Sequence, residues 1–116
     1  MLYKDKMNFN NNDLLQNSRV AETKEEPMPP FLYYGTGTDF FPPRKGEDIY
    51  PECGNIYVHL YNNVAQAVSI GVTRGKPVIY LVNSKKMEED GFVFRYSKGG
   101  LWMTETVPAK YCEIIE

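Results

Sequence analysis

The single histidine of the chain lies in a segment that alternates polar and apolar residues. His59 has Tyr57 and Tyr61 two positions away on either side, with Val58 and Leu60 between them. In a β-strand this alternation places the histidine and both tyrosines on one face of the sheet and the apolar pair on the other. The polar face predicts either one wall of a ligand-binding cleft or a structural histidine whose hydrogen bonds are satisfied within the fold.

Two glycines form the second feature with chemical potential. The segment Gly35-Thr36-Gly37 follows the apolar run 31–34, and glycine lets the backbone approach a ligand closely. The pair is not a dinucleotide-binding fingerprint, because that motif needs a third glycine that opens a helix, whereas Asp39 and a Pro-Pro pair follow here. We expect a strand over 31–34 and a glycine loop over 35–39, with a close approach to a ligand as the alternative.

Three charged residues are further candidates. Arg74 and Lys76 flank the glycine that ends a predicted helix, where positive charge favours the negative end of the helix dipole. Contact with a phosphate is the alternative for both. Glu105 lies in a polar turn, where it is either an exposed turn residue or a carboxylate that stabilises an oxocarbenium-like centre. No serine or cysteine is identifiable as a nucleophile paired with the histidine.

The elements that position these residues are six predicted strands and one main helix. Apolar residues recur at helical spacing over 63–74, with Asn63 as the cap and Gly75 as the stop. The continuous apolar run 77–83 predicts a strand buried on both faces of the sheet. Further strands are predicted over 31–34, 55–61, 92–96, 101–104 and 111–115, with a long loop over 40–54. Strands that pair mostly non-locally, together with one substantial helix, predict an α+β fold.

Length and composition describe one domain preceded by a polar arm. Residues 1–30 are rich in asparagine, acidic residues and proline, so we expect a flexible N-terminal arm there and a domain over 31–116. The net charge of −2 disfavours a general nucleic-acid-binding surface. No apolar stretch approaches the ~18 residues of a membrane span, and the N-terminus lacks the apolar core of a signal peptide.

The two cysteines predict a reducing environment. Cys53 and Cys112 are far apart in the sequence, and two free thiols in the cytoplasm are favoured over one disulfide. With a single histidine in the chain, they provide no zinc-site spacing. We therefore expect a cytoplasmic protein without a metal site.

Several short strings in the C-terminal half, specific when taken together, resemble a known family. Over residues 31–116 the chain is similar to the C-terminal lobe of the RNA 2′-phosphotransferases. Residues 34–36 resemble that family's YHGT motif, and residues 58–60 resemble its HVHL strand. The remaining matches are Arg74-Gly75-Lys76-Pro77-Val78-Ile79, Met87-x-x-Asp90-Gly91-Phe92-x-Phe94, and Ser97-x-x-Gly100-Leu101-Trp102-Met103-Thr104-x-x-Val107-Pro108-x-x-Tyr111.

The resemblance implies an ADP-ribosyltransferase-like split β-core that binds NAD. The phosphotransferases attack NAD with an RNA 2′-phosphate, release nicotinamide and then resolve the ADP-ribosylated product. The resemblance implies catalytic roles for His59 and Tyr34. It also implies NAD contacts from Tyr34, Gly35 and Thr36 on the nicotinamide-ribose side, from Tyr57, His59 and Tyr61 along the cleft, and from Trp102 at its floor.

The chain also departs from the family at polar positions. The motif histidine that contacts the NAD ribose is Tyr34 here, and the arginine two residues before the HVHL string aligns with Asn55. Tyr57 replaces the first histidine of that string, and Tyr61 replaces the serine after it. A tyrosine can still donate a hydrogen bond to a ribose hydroxyl, whereas loss of the arginine removes a charge that would stabilise phosphates.

These departures leave three functions open. The first is an NAD-dependent ADP-ribosyltransferase with an unknown acceptor, which is a nucleic acid, a protein or a small molecule. The 30 polar residues before the domain differ from the family's RNA-binding lobe and are closer to the short arm of single-lobe ADP-ribosyltransferases, such as those that modify rifampin. The second is an inactive relative that binds NAD, ADP-ribose or a partner protein. The third is an RNA 2′-phosphotransferase without the usual RNA-binding lobe.

Overall fold

The computed structural model describes residues 27–115, which form a six-stranded antiparallel sheet with two helices. The sheet order is β4-β5-β2-β1-β3-β6. The strands are β1 Leu32–Gly37, β2 Val58–Tyr61, β3 Pro77–Val82, β4 Arg95–Ser97, β5 Leu101–Thr104 and β6 Cys112–Ile114, and the helices are α1 Val64–Val72 and α2 Ser84–Glu89. The predicted α+β class and the six strands are confirmed.

The predicted N-terminal arm falls almost entirely outside the described residues. Of residues 1–30, only 27–30 are described, and they have no regular structure. The carbonyl oxygen of Pro29 accepts a hydrogen bond of 2.8 Å from the Ser84 hydroxyl, at the start of α2. None of the helices within residues 27–115 has the length and apolar character needed to cross a membrane.

Helix α1 begins where its cap was predicted and ends earlier than expected. The side chain of Asn63 accepts a hydrogen bond of 2.9 Å from the backbone N–H of Gln66, which satisfies one of the free donors at the helix start. The helix ends at Val72, with Thr73 as its C-cap, so residues 73 and 74 belong to the turn before Gly75. Ala67 and Gly71 form the buried face of α1, and these small residues allow the helix to lie close to β1.

The expected loop over 35–39 is wrong, because β1 continues through both glycines to Gly37. A Cβ atom at Gly35 would lie 2.0 Å from the carbonyl oxygen of Ala67, and one at Gly37 would lie 2.2 Å from that of Arg74. Glycine is therefore needed here to let α1 and the turn after it contact the strand, and not to make a turn. The chain leaves the sheet only at the short 3-10 turn Thr38–Phe40.

Other strand boundaries differ from the predicted ones by a few residues. Strand β2 starts at Val58 and not at residue 55, and β4 covers Arg95–Ser97 and not 92–96. The backbone N–H of Phe92 donates to the carbonyl of Met87, so this residue still belongs to the turn after α2. Strand β6 is likewise shorter than predicted.

The main core lies on the sheet face opposite α1. Alternation along β2 sends Val58 and Leu60 into this core, where both are almost completely buried, and Met87 of α2 covers it. Other members of the core come from the strands and from the segments that cover this face, and include Leu32, Tyr34, Ile49, Tyr80, Val82, Trp102, Val107 and Tyr111.

The loop between Phe40 and β2 is anchored in its middle. Ile49 and Val107 exchange two backbone hydrogen bonds of 2.8 and 2.9 Å, and neither side chain is exposed. The Tyr80 hydroxyl also donates a hydrogen bond of 2.5 Å to the carbonyl oxygen of Pro43. As predicted, the loop has little regular structure, yet it is tied to the core.

The sheet is split between β1 and β2. These two strands are paired at one position only, Tyr33 with Tyr61, whereas β1 and β3 are paired at six and β2 and β5 at four. Beyond that single pair the strands diverge. The sheet therefore consists of two halves, β4-β5-β2 and β1-β3-β6, with a gap between them that opens toward the 3-10 turn after Gly37.

Candidate functional site

A cleft of about 280 Å³ occupies the gap between the diverging strands. Strand β1 supplies one side, β2 and the residue before it supply the other, and α1 closes one end. Ten residues line it: Tyr34, Gly35, Glu52, Asn55, Tyr57, Val58, His59, Tyr61, Ile70 and Arg74.

Most of the residues predicted as a site lie together in this cleft. Tyr34 and Gly35 line it from β1, and Tyr57, His59 and Tyr61 line it from β2. Although Tyr34 and His59 lie on opposite faces of a continuous sheet by alternation, the divergence of the strands lets both reach the same gap. The sequence pattern of alternating tyrosine and histidine therefore marks one wall of a real cavity.

Other residues that the sequence singled out lie outside this cleft, among them Thr36, Trp102 and Glu105. Thr36 lines the adjoining trough described below. Trp102, expected at the floor of the cleft, is 6% exposed and packs in the core with its ring 4.8 Å from that of Tyr96. The register explains its position, because Trp102 is paired with Leu60 and therefore shares the apolar face of the sheet. Glu105 lines a separate small pocket with Tyr57 and Arg95.

An ion pair across the end of the cleft was not predicted. Arg74 donates from Nε and Nη2 to the two carboxylate oxygens of Glu52, at 3.2 and 2.9 Å. This bidentate geometry is the strong form of the arginine–carboxylate interaction. The sequence indicated a special role for Arg74 at a helix end, but Glu52 lies 22 positions away in an irregular loop and carried no signal.

Arg74 is also fixed from behind by α1 and by an aromatic ring. Its Nη1 donates to the carbonyl oxygen of Ile70 at 3.2 Å and to the Thr73 hydroxyl at 2.9 Å. The first of these contacts agrees with the predicted placement of a cation at the negative end of the helix. The ring centroid of Phe40 lies 4.9 Å from the guanidinium carbon, within the range of a cation–π interaction.

Two tyrosines of the cleft, Tyr34 and Tyr61, have a raised pKa and keep their hydroxyls neutral. Burial, together with the Glu52 carboxylate, raises the pKa of Tyr34 far above its ordinary value. Burial also raises the pKa of Tyr61, and the nearby Arg74 partly offsets this. The hydroxyls of Tyr34 and Thr36 lie 3.5 and 3.4 Å from the same carboxylate oxygen of Glu52 and donate toward it. Both tyrosines therefore act as protonated hydrogen-bonding groups, not as bases.

A larger trough of about 800 Å³ continues from the cleft past Tyr34 and Glu52, which line both cavities. Its other walls are aromatic, proline and acidic residues of the loop, including Phe41, which is 91% exposed, and Tyr50, which is 63% exposed. Cys53 is also part of its wall, and the thiols of Cys53 and Cys112 are both free, as predicted. The trough offers flat apolar surfaces beside the polar cleft.

The chemistry available in the cleft is that of recognition and positioning. Neutral hydroxyls, an imidazole and an amide can hydrogen-bond to sugar hydroxyls, and one guanidinium can bind an anion. Among the described residues that line it, no serine or cysteine is present to form a covalent intermediate. Such a site suits a reaction in which the substrates themselves provide the nucleophile and the leaving group.

Comparison with known proteins assigns the family. The family model described as RNA 2′-phosphotransferase, Tpt1 / KptA family, matches residues 6–106 of the chain. The chain therefore belongs to the RNA 2′-phosphotransferase family, and the resemblance drawn from its C-terminal strings is confirmed.

Individual relatives carry the same description. A probable RNA 2′-phosphotransferase of Acaryochloris marina is 35% identical over 88 residues, which cover 76% of this chain and 48% of the relative. Its counterpart in Flavobacterium johnsoniae is 38% identical over 94 residues, covering 81% and 50%. The one in Escherichia coli O139:H28 is 35% identical over 97 residues, covering 83% and 52%. The chain spans about half the length of the curated relatives it matches.

Proposed function

We propose that the domain binds NAD in the cleft between β1 and β2 and transfers the 2′-phosphate of an RNA to it. In this reaction a phosphate oxygen of the RNA attacks C1 of the nicotinamide ribose, and the bond from that carbon to nicotinamide breaks. Nicotinamide leaves with the bonding electrons. In a second step a hydroxyl of the ADP-ribose attacks the phosphorus, and the bond from phosphorus to the RNA 2′-oxygen breaks. The hydroxyl proton passes to that oxygen, so the RNA leaves with a 2′-hydroxyl and the phosphate stays on the ADP-ribose as a cyclic ester. Family membership supports this proposal over transfer of ADP-ribose to a protein or a small molecule.

The observation that carries the proposal is the meeting of Tyr34, Gly35, Tyr57, His59 and Tyr61 in one cleft at the split of the sheet. The raised pKa of Tyr34 keeps its hydroxyl protonated, so it can hydrogen-bond to the nicotinamide ribose in place of the histidine of the family motif. Gly35 provides a wall without a side chain. Because the RNA phosphate is itself the nucleophile, the protein contributes mainly alignment of the attacking oxygen with the ribose carbon.

The test is to incubate the protein with NAD and an oligoribonucleotide that carries one internal 2′-phosphate. We expect nicotinamide release that depends on the 2′-phosphate, with conversion of the RNA to the 2′-hydroxyl form. The same oligonucleotide without the 2′-phosphate is the control substrate. Absence of nicotinamide release at saturating NAD and RNA would contradict the proposal.

A matched pair of variants tests the site. Tyr34→Phe removes one hydroxyl from the cleft and should lower turnover, whereas Tyr33→Phe removes a hydroxyl from the adjacent residue, which does not line the cleft. Loss of one hydrogen bond made to the reacting ribose should cost about tenfold or more in rate. Equal rates in the two variants would remove Tyr34 from the site.

A second candidate is nucleotide binding without catalysis. Two observations favour it: Asn55 lines the cleft at the position where the family carries an arginine, and the Arg74 charge is paired with Glu52. Saturable binding of NAD or ADP-ribose without nicotinamide release, with or without the phosphorylated RNA, would support this candidate over the first.

A further inference from the structure

We propose that Glu52 occupies the edge of Arg74 that a phosphate of the bound nucleotide takes over, so that ligand binding exchanges one anion for another on the same guanidinium. The inference rests on the proposed function for the identity of the nucleotide. It assigns Arg74 as a phosphate-binding residue and Glu52 as its internal competitor.

Among the described residues, the cleft holds one cationic and one anionic side chain. Of the ten lining residues within the described range, Arg74 is the only arginine or lysine and Glu52 the only carboxylate. NAD and ADP-ribose bring two phosphate groups, and Asn55 has no charge to offset them. A buried or half-buried anion needs a positive or hydrogen-bonding partner, and Arg74 is the group in the cleft that can provide both.

The ion pair has the geometry of a bound phosphate. The Nε and Nη2 edge of a guanidinium matches two oxygens of a carboxylate and two oxygens of a phosphate equally well. Glu52 places its two oxygens on this edge at 3.2 and 2.9 Å. The carboxylate therefore makes the two contacts that a phosphate would make in the same cleft.

Arg74 keeps its orientation when Glu52 leaves. Its Nη1 contacts to Ile70 and Thr73, and the ring of Phe40 beside it, do not involve Glu52. These contacts hold the guanidinium with the Nε and Nη2 edge toward the cleft. A preoriented arginine loses less side-chain freedom when it binds the incoming anion.

The side chain of Glu52 has space to rotate away from Arg74. Glu52 lies on an irregular loop, in a turn where its backbone carbonyl oxygen accepts a hydrogen bond of 2.8 Å from the N–H of Asn55. Its side-chain contacts with Tyr34 and Thr36 are long, at 3.5 and 3.4 Å. Glu52 also lines the larger trough, so a rotation of its side chain leads into an existing cavity.

The exchange requires that substitutions of Glu52 and of Arg74 change the affinity for phosphate ligands in opposite directions, and the test measures both changes. The affinities of ADP-ribose and of inorganic pyrophosphate are measured by calorimetry for the wild type, Glu52→Gln and Arg74→Gln. Removing the competing charge should tighten binding of both probes by about threefold to tenfold, and removing the guanidinium should weaken it by about tenfold or more. Arg74→Lys keeps the charge without the bidentate edge and should give an intermediate loss.

If the Glu52–Arg74 ion pair only stabilises the structure of the cleft, Glu52→Gln and Arg74→Gln should both weaken binding. That result would overturn the inference. Equal affinity of all variants for both probes would overturn it as well. Glu89→Gln and Lys86→Gln make the same charge changes at exposed positions of α2, outside the cleft, and should leave both affinities within about twofold, since salt screens exposed charges. Thermal melting tests whether each variant is folded. If Arg74→Gln does not fold, the loss of affinity in Arg74→Lys measures the contribution of the guanidinium.

Failure of the anion exchange and failure of the proposed transferase activity give different results. Opposite effects on pyrophosphate affinity without any nicotinamide release would support the inference and contradict the transferase proposal. Nicotinamide release by the wild type, together with weaker pyrophosphate binding in both variants, would support the transferase and contradict the exchange.

Discussion

Replacing Gly35 with alanine is expected to destabilise the domain more than any other single-methyl addition proposed here. The added Cβ would lie 2.0 Å from the carbonyl oxygen of Ala67 and within 3 Å of two more backbone atoms of that residue. A normal contact needs a separation of at least 3.4 Å, so α1 would have to move outward by more than an ångström. Because backbone cannot rotate away as a side chain does, the cost should lie at the upper end of overpacking, about 3 kcal/mol.

The expected loss is large relative to the stability of a small domain, which is typically 5–15 kcal/mol. For a domain of this size, each kcal/mol shifts the melting temperature by about 4–8 °C, so Gly35→Ala should melt at least roughly 12 °C lower. The assay is urea denaturation of the wild type and the variant, with the free energy of unfolding taken from transitions of equal slope.

Two further variants define what would refute this reasoning. Gly46→Ala adds the same methyl group where nothing lies within 4 Å, at a φ of 89°, and should cost only the conformational strain of about 1–2 kcal/mol. Ala67→Gly should not rescue Gly35→Ala, because the obstructing atoms belong to the backbone. A loss below about 1 kcal/mol for Gly35→Ala, or rescue by the second substitution, would show that α1 does not contact β1 as described.

Three other results are expected. Asn63→Ala should lower the free energy of unfolding by about 1 kcal/mol through loss of the α1 cap, while Asn63→Asp should retain it; equal losses in urea denaturation would argue against the cap. The Tyr111 hydroxyl donates to Asp90 at 2.6 Å and lowers the pKa of that carboxyl. The contribution of this hydrogen bond to the free energy of unfolding is therefore present at neutral pH and is lost as the pH falls below about 4. The stability of Tyr111→Phe should therefore converge with the wild type in acid, and a difference that is constant with pH would contradict this. Exposed Cys53 should react with a thiol reagent faster than Cys112, whose pKa is raised by burial, and Cys53→Ser should remove the fast phase of labelling.

The sequence predicted best the elements whose signals are local. Helix α1 follows from periodic apolar residues and from the Asn63 cap, and β3 and β5 follow from apolar runs bounded by turn residues. The glycines at 35 and 37 were misassigned because a glycine pair usually marks a loop. Their reason is the close approach of Ala67 and Arg74, and a contact between residues so far apart in sequence leaves no local pattern.

The residues of the cleft could be predicted only where local sequence patterns place them. Tyr57, His59 and Tyr61 share a face by alternation, and Tyr34 and Gly35 lie in a recognisable motif, so these residues could be identified from sequence. The position of Trp102 depends on the register between β2 and β5, which no single strand encodes. Glu52 reaches Arg74 only through the path of an irregular loop, and such paths are set by tertiary contacts.

The backbone pairing of Ile49 with Val107 has a consequence for how the chain tolerates changes in length. It divides the loop before β2 into two short connections that are ordered separately, one before Ile49 and one after it. Residues added near Gly46 extend a connection whose far end is already fixed, and the entropic cost of lengthening a loop is small. Residues added near Gly54 would instead displace Glu52 from Arg74. The first connection should therefore tolerate changes in length, and the second should not, because its length sets the position of Glu52 beside Arg74.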